Sequence, residues 1–218
     1  MVEGITDCKA LEFIENLNEN EMIKFHIMNG DITSQNNVTT QNCIKEINEY
    51  LKIFIKKYKL KKSDVSKIIH ILDTDGVYIP DNKIVEDENS EKFIYSTNGI
   101  SYKSKIDVIN RNKKKKDILE KLLSTHEINK ISYEIYYMSC NLEHILHNKL
   151  KNFTNEEKNE LANKFSDRFY EKEEEFIDFI NDPIFKVEGD YKTTWDFIKQ
   201  DLNSVNRYSN FWLFFKKK

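Results

Sequence analysis

Two aspartates one residue apart, Asp73 and Asp75, close the apolar run Lys67-Ile68-Ile69-His70-Ile71-Leu72 and are followed by Gly76. Branched apolar residues in close succession predict a buried strand, and the glycine permits a sharp turn after it. Carboxylates just past the carboxyl end of a strand in an open α/β sheet stand where such folds bind ligands. Two hard oxygen donors this close suit a divalent metal, Mg²⁺ or Mn²⁺. Asp-Gly is also a common turn dipeptide, so the same residues equally describe a strand that simply turns.

The flanking segments predict what would position these aspartates. Thr6 can cap a helix with Asp7 in its first turn and Ala10, Leu11, Ile14 and Leu17 along one face. Met22 to Met28 alternates as a strand and ends at Asn29-Gly30-Asp31. A helix from about Asn42 to Tyr58 then leads into the Asp73 strand, and this β-α-β order predicts a parallel sheet with a right-handed crossover. Residues 77–104, with Pro80, several acids and Gly99, read as a long excursion with weak strand content, an insertion or lid. Ile106, Ile109, Leu119, Leu122 and Leu123 mark a helix. Ile131 to Met138 alternates as a strand, and Ser139-Cys140-Asn141 leads from it into a helix from Leu142 to about Leu150. The remainder reads as helices over Asn155 to Ile180 and Thr194 to Val205. The expected fold is therefore α/β, a mostly parallel sheet flanked by helices. A catalytic domain would span 1–150, with an insertion at about 77–104 and a helical extension over 151–218 packed on it. The aromatic cluster Phe211-Trp212-Leu213-Phe214-Phe215 would pack back on that domain or, if exposed, serve a partner.

Composition narrows the class. A formal net charge of −3 argues against a generally basic nucleic-acid coat, while 34 lysines and arginines leave room for local basic patches. Three cysteines, Cys8, Cys43 and Cys140, lack zinc spacing and read as reduced thiols of a cytoplasmic protein. No stretch is apolar enough to span a membrane, and no signal-peptide core is present at the start.

Three acidic features fall beyond the carboxyl ends of predicted strands: Glu3 with Asp7, Asp73 with Asp75, and Glu143. In a parallel sheet those ends share one edge. In this order and spacing the chain resembles the Toprim domain family of primases, topoisomerases and nucleases. Val2-Glu3-Gly4-Ile5-Thr6-Asp7 resembles that family's first motif, Asn29-Gly30 its glycine turn, and Asp73-Thr74-Asp75-Gly76 its DxD motif, over about residues 1–150. The nearer resemblance is to the stand-alone or ATPase-linked Toprim nucleases of bacterial phage defence, related to the OLD family, whose later glutamate Cys140-Asn141-Leu142-Glu143 resembles. Only two residues precede Glu3, fewer than the family's usual first strand. The resemblance implies a Rossmann-like fold and metal-dependent hydrolysis of phosphodiester bonds in DNA or RNA, tRNA included, by a regulated effector of abortive infection. It also implies a possible partner ATPase or other regulatory protein. Asp73 and Asp75, assisted by Glu3 or Asp7, would hold one or two Mg²⁺ or Mn²⁺ ions, with Glu143 completing the catalytic set. Glu3 would alternatively act as a general acid or base.

Other readings stay beside this one. A Toprim-like module without activity, docking on an ATPase or toxin partner, would carry the same carboxylates. The DxDG sequence also resembles haloacid-dehalogenase phosphatases, with Asp73 as nucleophile. The basic run holding Arg111, Lys113, Lys114 and Lys115, and the distant Arg207, would contact a phosphate backbone; the run is as readily a solvated helix face. Tyr133, Tyr136 and Tyr137 would stack on bases or, more simply, pack in the core. His144 and His147, three apart, have metal-ligand spacing but read as ordinary surface residues without a third soft ligand.

Overall fold

The computed structural model describes residues 1–16 and 22–216, and Leu17, Lys217 and Lys218 lie outside them. The central strands are β1 (Lys67–Asp73) and β6 (Ile131–Met138), paired in parallel from Lys67 opposite Ser132 to Asp73 opposite Met138. On the far side of β1 lies the chain start. The Met1 amino group donates to the Ile69 carbonyl (2.6 Å), and the Ile71 N–H donates to the Met1 carbonyl (3.0 Å). Val2 in turn forms a parallel bridge with Ile27. The short lead before Glu3 is therefore a working strand of minimal length, and it delivers Glu3 to the carboxyl edge beside Asp73.

The expected strand from Met22 to Met28 is reduced to the single bridge at Ile27. After the Gly30 N–H donates to the Glu3 carbonyl (2.8 Å), the chain following Val2 turns away into α1 (Ile5–Leu11) and the pairing ends. The N–H of Phe25 goes instead to the Glu15 carboxylate. The cap of α1 is Gly4, not Thr6. Asp7, at the third helical position, reaches back to accept the Gly4 N–H at 2.7 Å, and the helix starts two residues earlier than a Thr6 cap would place it.

Helices cover both faces of the sheet. Ile68, Leu72, Tyr133, Ile135 and Tyr137 face α2 (Cys43–Tyr58) and part of the 77–128 segment, while Ile71, Tyr136 and Met138 face α1 and the aromatic C-terminal helices. The three tyrosines are core residues, 4% exposed or less. Residues 77–104 fold around a small sheet of β2 (Ile84–Glu86), β3 (Ile94–Ser96) and β4 (Gly99–Tyr102), in the order β2-β4-β3. The helix that follows, α3 (Lys105–Leu123), buries Val108, Asn112, Lys115, Ile118, Leu119 and Leu122. Ile106, expected on the apolar face, is exposed instead. A two-residue strand, β5 (Glu127–Ile128), pairs antiparallel with β6, so the sheet, expected to be mostly parallel, is mixed.

After β6 comes α4 (Leu142–His147), which ends at Asn148 in a left-handed cap, earlier than the expected Leu150. The expected helix from Asn155 to Ile180 is two helices, α5 (Asn155–Phe169) and α6 (Glu173–Ile180), split where Glu171 adopts a positive φ of 54°. The break folds Phe176 back onto Phe13 and Phe169. The Thr194–Val205 helix is shifted to α7 (Tyr191–Ile198), begun by the Asp190 carboxylate accepting the Thr193 N–H. Next, α8 (Trp212–Phe215) buries Trp212 against the aromatic cluster. Among the described residues no cysteine is disulfide-bonded, and no helix is long and apolar enough to cross a membrane.

The turn after β1 is stitched to distant chain. Thr74 Oγ1 donates to the Ser204 carbonyl and accepts the Cys140 N–H, at 2.7 and 2.9 Å, while Gly76 N–H donates to Ser204. Gly76 has φ +65°, and a Cβ there would lie 2.4 Å from Val205 Cγ1. A Gly76→Ala chain is therefore expected to lose about 1–3 kcal/mol of stability through strain and overpacking. Chemical denaturation checks this, and an unchanged midpoint would contradict it.

Candidate active site

Four carboxylates gather where the short first strand, the Ile27 segment and β1 end. Glu3 Oε1 accepts the backbone N–H of Asp73 at 3.1 Å, which joins residues seventy apart in sequence. The Asp73 carboxylate itself takes no hydrogen bond or ion pair among the described residues. Burial, followed by the neighbouring charge of Glu3, then Asp7, Asp75 and Glu143, pushes Asp73 well above the usual carboxylate range. Glu3 is likewise pushed well up, first by burial and then by Asp31; Lys115 opposes the rise, and Asp75 and Asp7 add to it. Both acids are thereby biased toward their protonated forms, a bias that a cation beside them would oppose.

Asp75 is held differently. Its backbone sits in the left-handed region at φ 49°, its N–H donates to the Cys140 carbonyl (2.8 Å), and its own carbonyl accepts from the Arg111 guanidinium (3.0 Å). Its Oδ2 lies 2.8 Å from Lys115 Nζ, which also lies 2.7 Å from Asp31 Oδ2. The Lys115 side chain has no exposed surface. Its ammonium stays charged because Asp31, Asp75 and Glu3 outweigh the burial penalty and raise its pKa. Asp31 is pushed up by burial, but Lys115 and the hydroxyls of Ser34 and Thr33 more than reverse this and bring it to about 2.

Asp7 and Glu143 form a second acidic pair beside Asp73. Burial raises Asp7, its cap bond to Gly4 opposes the rise, and Glu143 adds to it. Glu143, on the first turn of α4, pairs with Lys158 of α5 at 2.9 Å. All five acids expected from sequence thus come to one edge, with Asp7 committed to a helix cap and Glu143 to a lysine.

The expected phosphate contacts are distributed otherwise. Lys115 is an interior ion-pair partner, not a surface cation, because it lies on the buried stripe of α3 with Val108 and Leu122 seven residues to either side. Lys114 donates to the Gln35 carbonyl, and Lys113 remains exposed. Arg111 stacks on Phe93, 4.7 Å from the ring centre, and donates to the Tyr95 hydroxyl at 3.2 Å, so the small sheet of residues 84–102 walls the site. Arg207 is spent inside the fold. It donates to the carbonyls of His144 and Ile145 near the C-terminal end of α4, where a cation satisfies the terminal acceptors. His144 is buried rather than on the surface, and desolvation, aided by Arg207, lowers it to about 4.

Sequence reasoning passed over Asp31. The signal was present, since Asp31 follows Asn29-Gly30 just past the Ile27 segment, in the same relation to its strand as Glu3 and Asp75 to theirs. Lys115 carried a signal as well, in its seven-residue spacing from Val108 and Leu122.

The donor set is all carboxylate oxygen, which suits a hard divalent cation. No group of three or more His, Cys, Asp and Glu side chains converges on a common point among the described residues. Mg²⁺ typically needs only one or two carboxylates, its remaining positions going to water and substrate phosphate, so Glu3 and Asp73 suffice as the protein's share.

Removal of divalent ions sets the pH response. Glu3 and Asp73 bind protons more tightly folded than unfolded, so their contribution to stability is complete below the ordinary carboxylate range. It is lost as pH climbs from there toward their raised folded values. The acids' share is read as a difference between variants, because His70, His144 and the Met1 amino group, all lowered by burial, act in the opposite sense over the same range. Between pH 5.5 and pH 7.5 the metal-free wild type is expected to lose more melting temperature, or gain less, than Asp73→Asn, and added Mn²⁺ should raise the wild-type midpoint most at pH 7.5. Thermal melts of both proteins with and without chelator test this, and identical pH responses of the two would refute it.

No family model, curated protein or solved structure matches the chain.

Proposed function

We propose that the chain is a metal-dependent nuclease with a Toprim-like core, hydrolysing phosphodiester bonds of RNA or DNA in the cytoplasm. The observation that carries this reading is the bond from Asp73 N–H to Glu3 Oε1, beside an Asp73 carboxylate with no partner. It sets two acids from adjacent strand ends side by side, one of them with no internal partner among the described residues, at the edge where open α/β sheets bind ligands. Bound there, Mg²⁺ or Mn²⁺ would lower the pKa of a water and offset charge developing on the scissile phosphate.

The chain's own residues supply the rest. Glu3 and Asp73 hold the cation's place, and Glu3, whose proton affinity is raised, is also suited to moving a proton before metal binds. Arg111, stacked on Phe93 and bonded to the Asp75 carbonyl, presents positive charge beside the carboxylates without occupying them. Lys113 adds an exposed cation on the same helix. Regulation by a partner ATPase or another protein, in a setting of phage defence, is part of the same proposal and rests on the motif resemblance.

The test is incubation of the purified chain with labelled single-stranded DNA, duplex DNA, total RNA and tRNA, with Mg²⁺ or Mn²⁺, against an Asp73→Ala control. Metal-dependent cleavage of any one substrate, lost in the control, supports the reading. Absence of cleavage by the chain alone and in the presence of its partner would refute it.

One observation favours a second reading. Lys115 already neutralises part of the cluster, as it would in a catalytically silent module that docks on an ATPase or toxin partner. The phosphatase reading gains less, because Lys115 pairs with Asp75 and Asp31 rather than with Asp73.

A further inference from the structure

The carboxylates divide into a spent half and an open half. Asp31 Oδ1 accepts the N–H and hydroxyl of Thr33, while its Oδ2 takes the Ser34 hydroxyl and the Lys115 ammonium. Asp75 Oδ2 is held by the same ammonium, and its Oδ1 faces the Tyr95 hydroxyl at 3.5 Å. Glu3 spends one oxygen on the Asp73 N–H, and Asp73 spends none. A cation entering at Asp31 and Asp75 would have to expel a lysine whose stem is packed on the buried stripe of α3 and whose side chain has no exposed surface. One entering at Glu3 and Asp73 displaces no ion pair.

We infer that Lys115 is a built-in cation of the site, permanently filling the position between Asp31 and Asp75, so that the chain takes one divalent ion, at Glu3 and Asp73, and not two. This rests on the metal-dependent reading above and refines it. Lys115 acts as a positioning residue. It fixes the Asp75 carboxylate and keeps the second cation position closed.

The experiment is a titration of the purified full chain with Mn²⁺, reading free Mn²⁺ by electron paramagnetic resonance, with circular dichroism as the check on folding. Wild type is expected to bind one Mn²⁺ per chain tightly. Asp73→Asn should lose that ion, and Asp31→Asn should keep it, because Asp31 already belongs to Lys115. Lys115→Arg should also keep a single ion, while Lys115→Met, where it folds, should gain a second. Two tight Mn²⁺ ions on wild type, or loss of the ion in folded Asp31→Asn, would overturn the inference while leaving metal dependence intact. No Mn²⁺ binding by wild type would overturn the metal reading itself, and the inference with it.

Discussion

An Asp73→Ala chain is expected to fold as wild type does and to lose nucleic-acid cleavage by a factor on the order of 10²–10³ or more. The size follows from what the residue contributes. Among the described residues Asp73 is the acid of the cluster whose carboxylate has no hydrogen bond or ion pair, so its oxygens are open to whatever binds beside Glu3. Its backbone N–H, which orders Glu3, survives the substitution, so the second acid stays in place. The fold should tolerate the loss because the Asp73 carboxyl makes no hydrogen bond or ion pair among the described residues, and burial and the neighbouring acids Glu3, Asp7, Asp75 and Glu143 all disfavour its charge. Removing it breaks no ion pair. Single-turnover cleavage at saturating Mn²⁺ measures the effect, beside a thermal melt of each protein. Cleavage within about tenfold of wild type would remove Asp73 from the mechanism, since each tenfold in rate corresponds to about 1.4 kcal/mol.

The converse is expected of Lys115→Met. Here the fold should suffer, by about 3 kcal/mol at neutral pH, the lower end of the range for breaking a buried ion pair. The lysine is enclosed entirely, but the side chains of Asp31 and Asp75 keep 14% and 23% of their surface, and the water they retain moderates the cost. For a chain of this size that loss lowers the melting temperature by roughly 6–12 °C. The damage comes from two carboxylates left facing each other without a cation, so it should shrink when one of them is made neutral. Lys115→Met/Asp75→Asn is expected to recover part of the lost stability in a double-mutant cycle. Strictly additive losses would show that the ammonium does not couple to Asp75, and that its burial matters only for packing.

Much of the architecture is legible along the chain because it depends on short-range pattern. The apolar run before Asp73 and the alternation from Ile131 to Met138 each need a sheet to bury them, and they pair with one another in the structure. The acids at Asp73, Asp75 and Glu143 are legible for a related reason, since each follows a segment whose composition predicts a strand, whereas Glu3, with two residues before it, is legible only through the motif resemblance. Boundaries were less legible. Glu171 in the left-handed region, the shortened ladder at Ile27 and the Gly4 cap depend on what each segment meets in space, which no local window contains.

The sequence by itself determined that carboxylates stand at successive strand ends, because strand periodicity and turn chemistry are local properties. Tertiary structure alone decided how their charge is shared. A lysine in a basic run is solvated or buried according to which acids the sheet brings within about 3 Å of it, and at that separation Coulomb energy in a poorly hydrated interior outweighs the preference of an ammonium for water. Through that contact Asp31 and Asp75 are spent on Lys115, and Glu3 and Asp73 are left open.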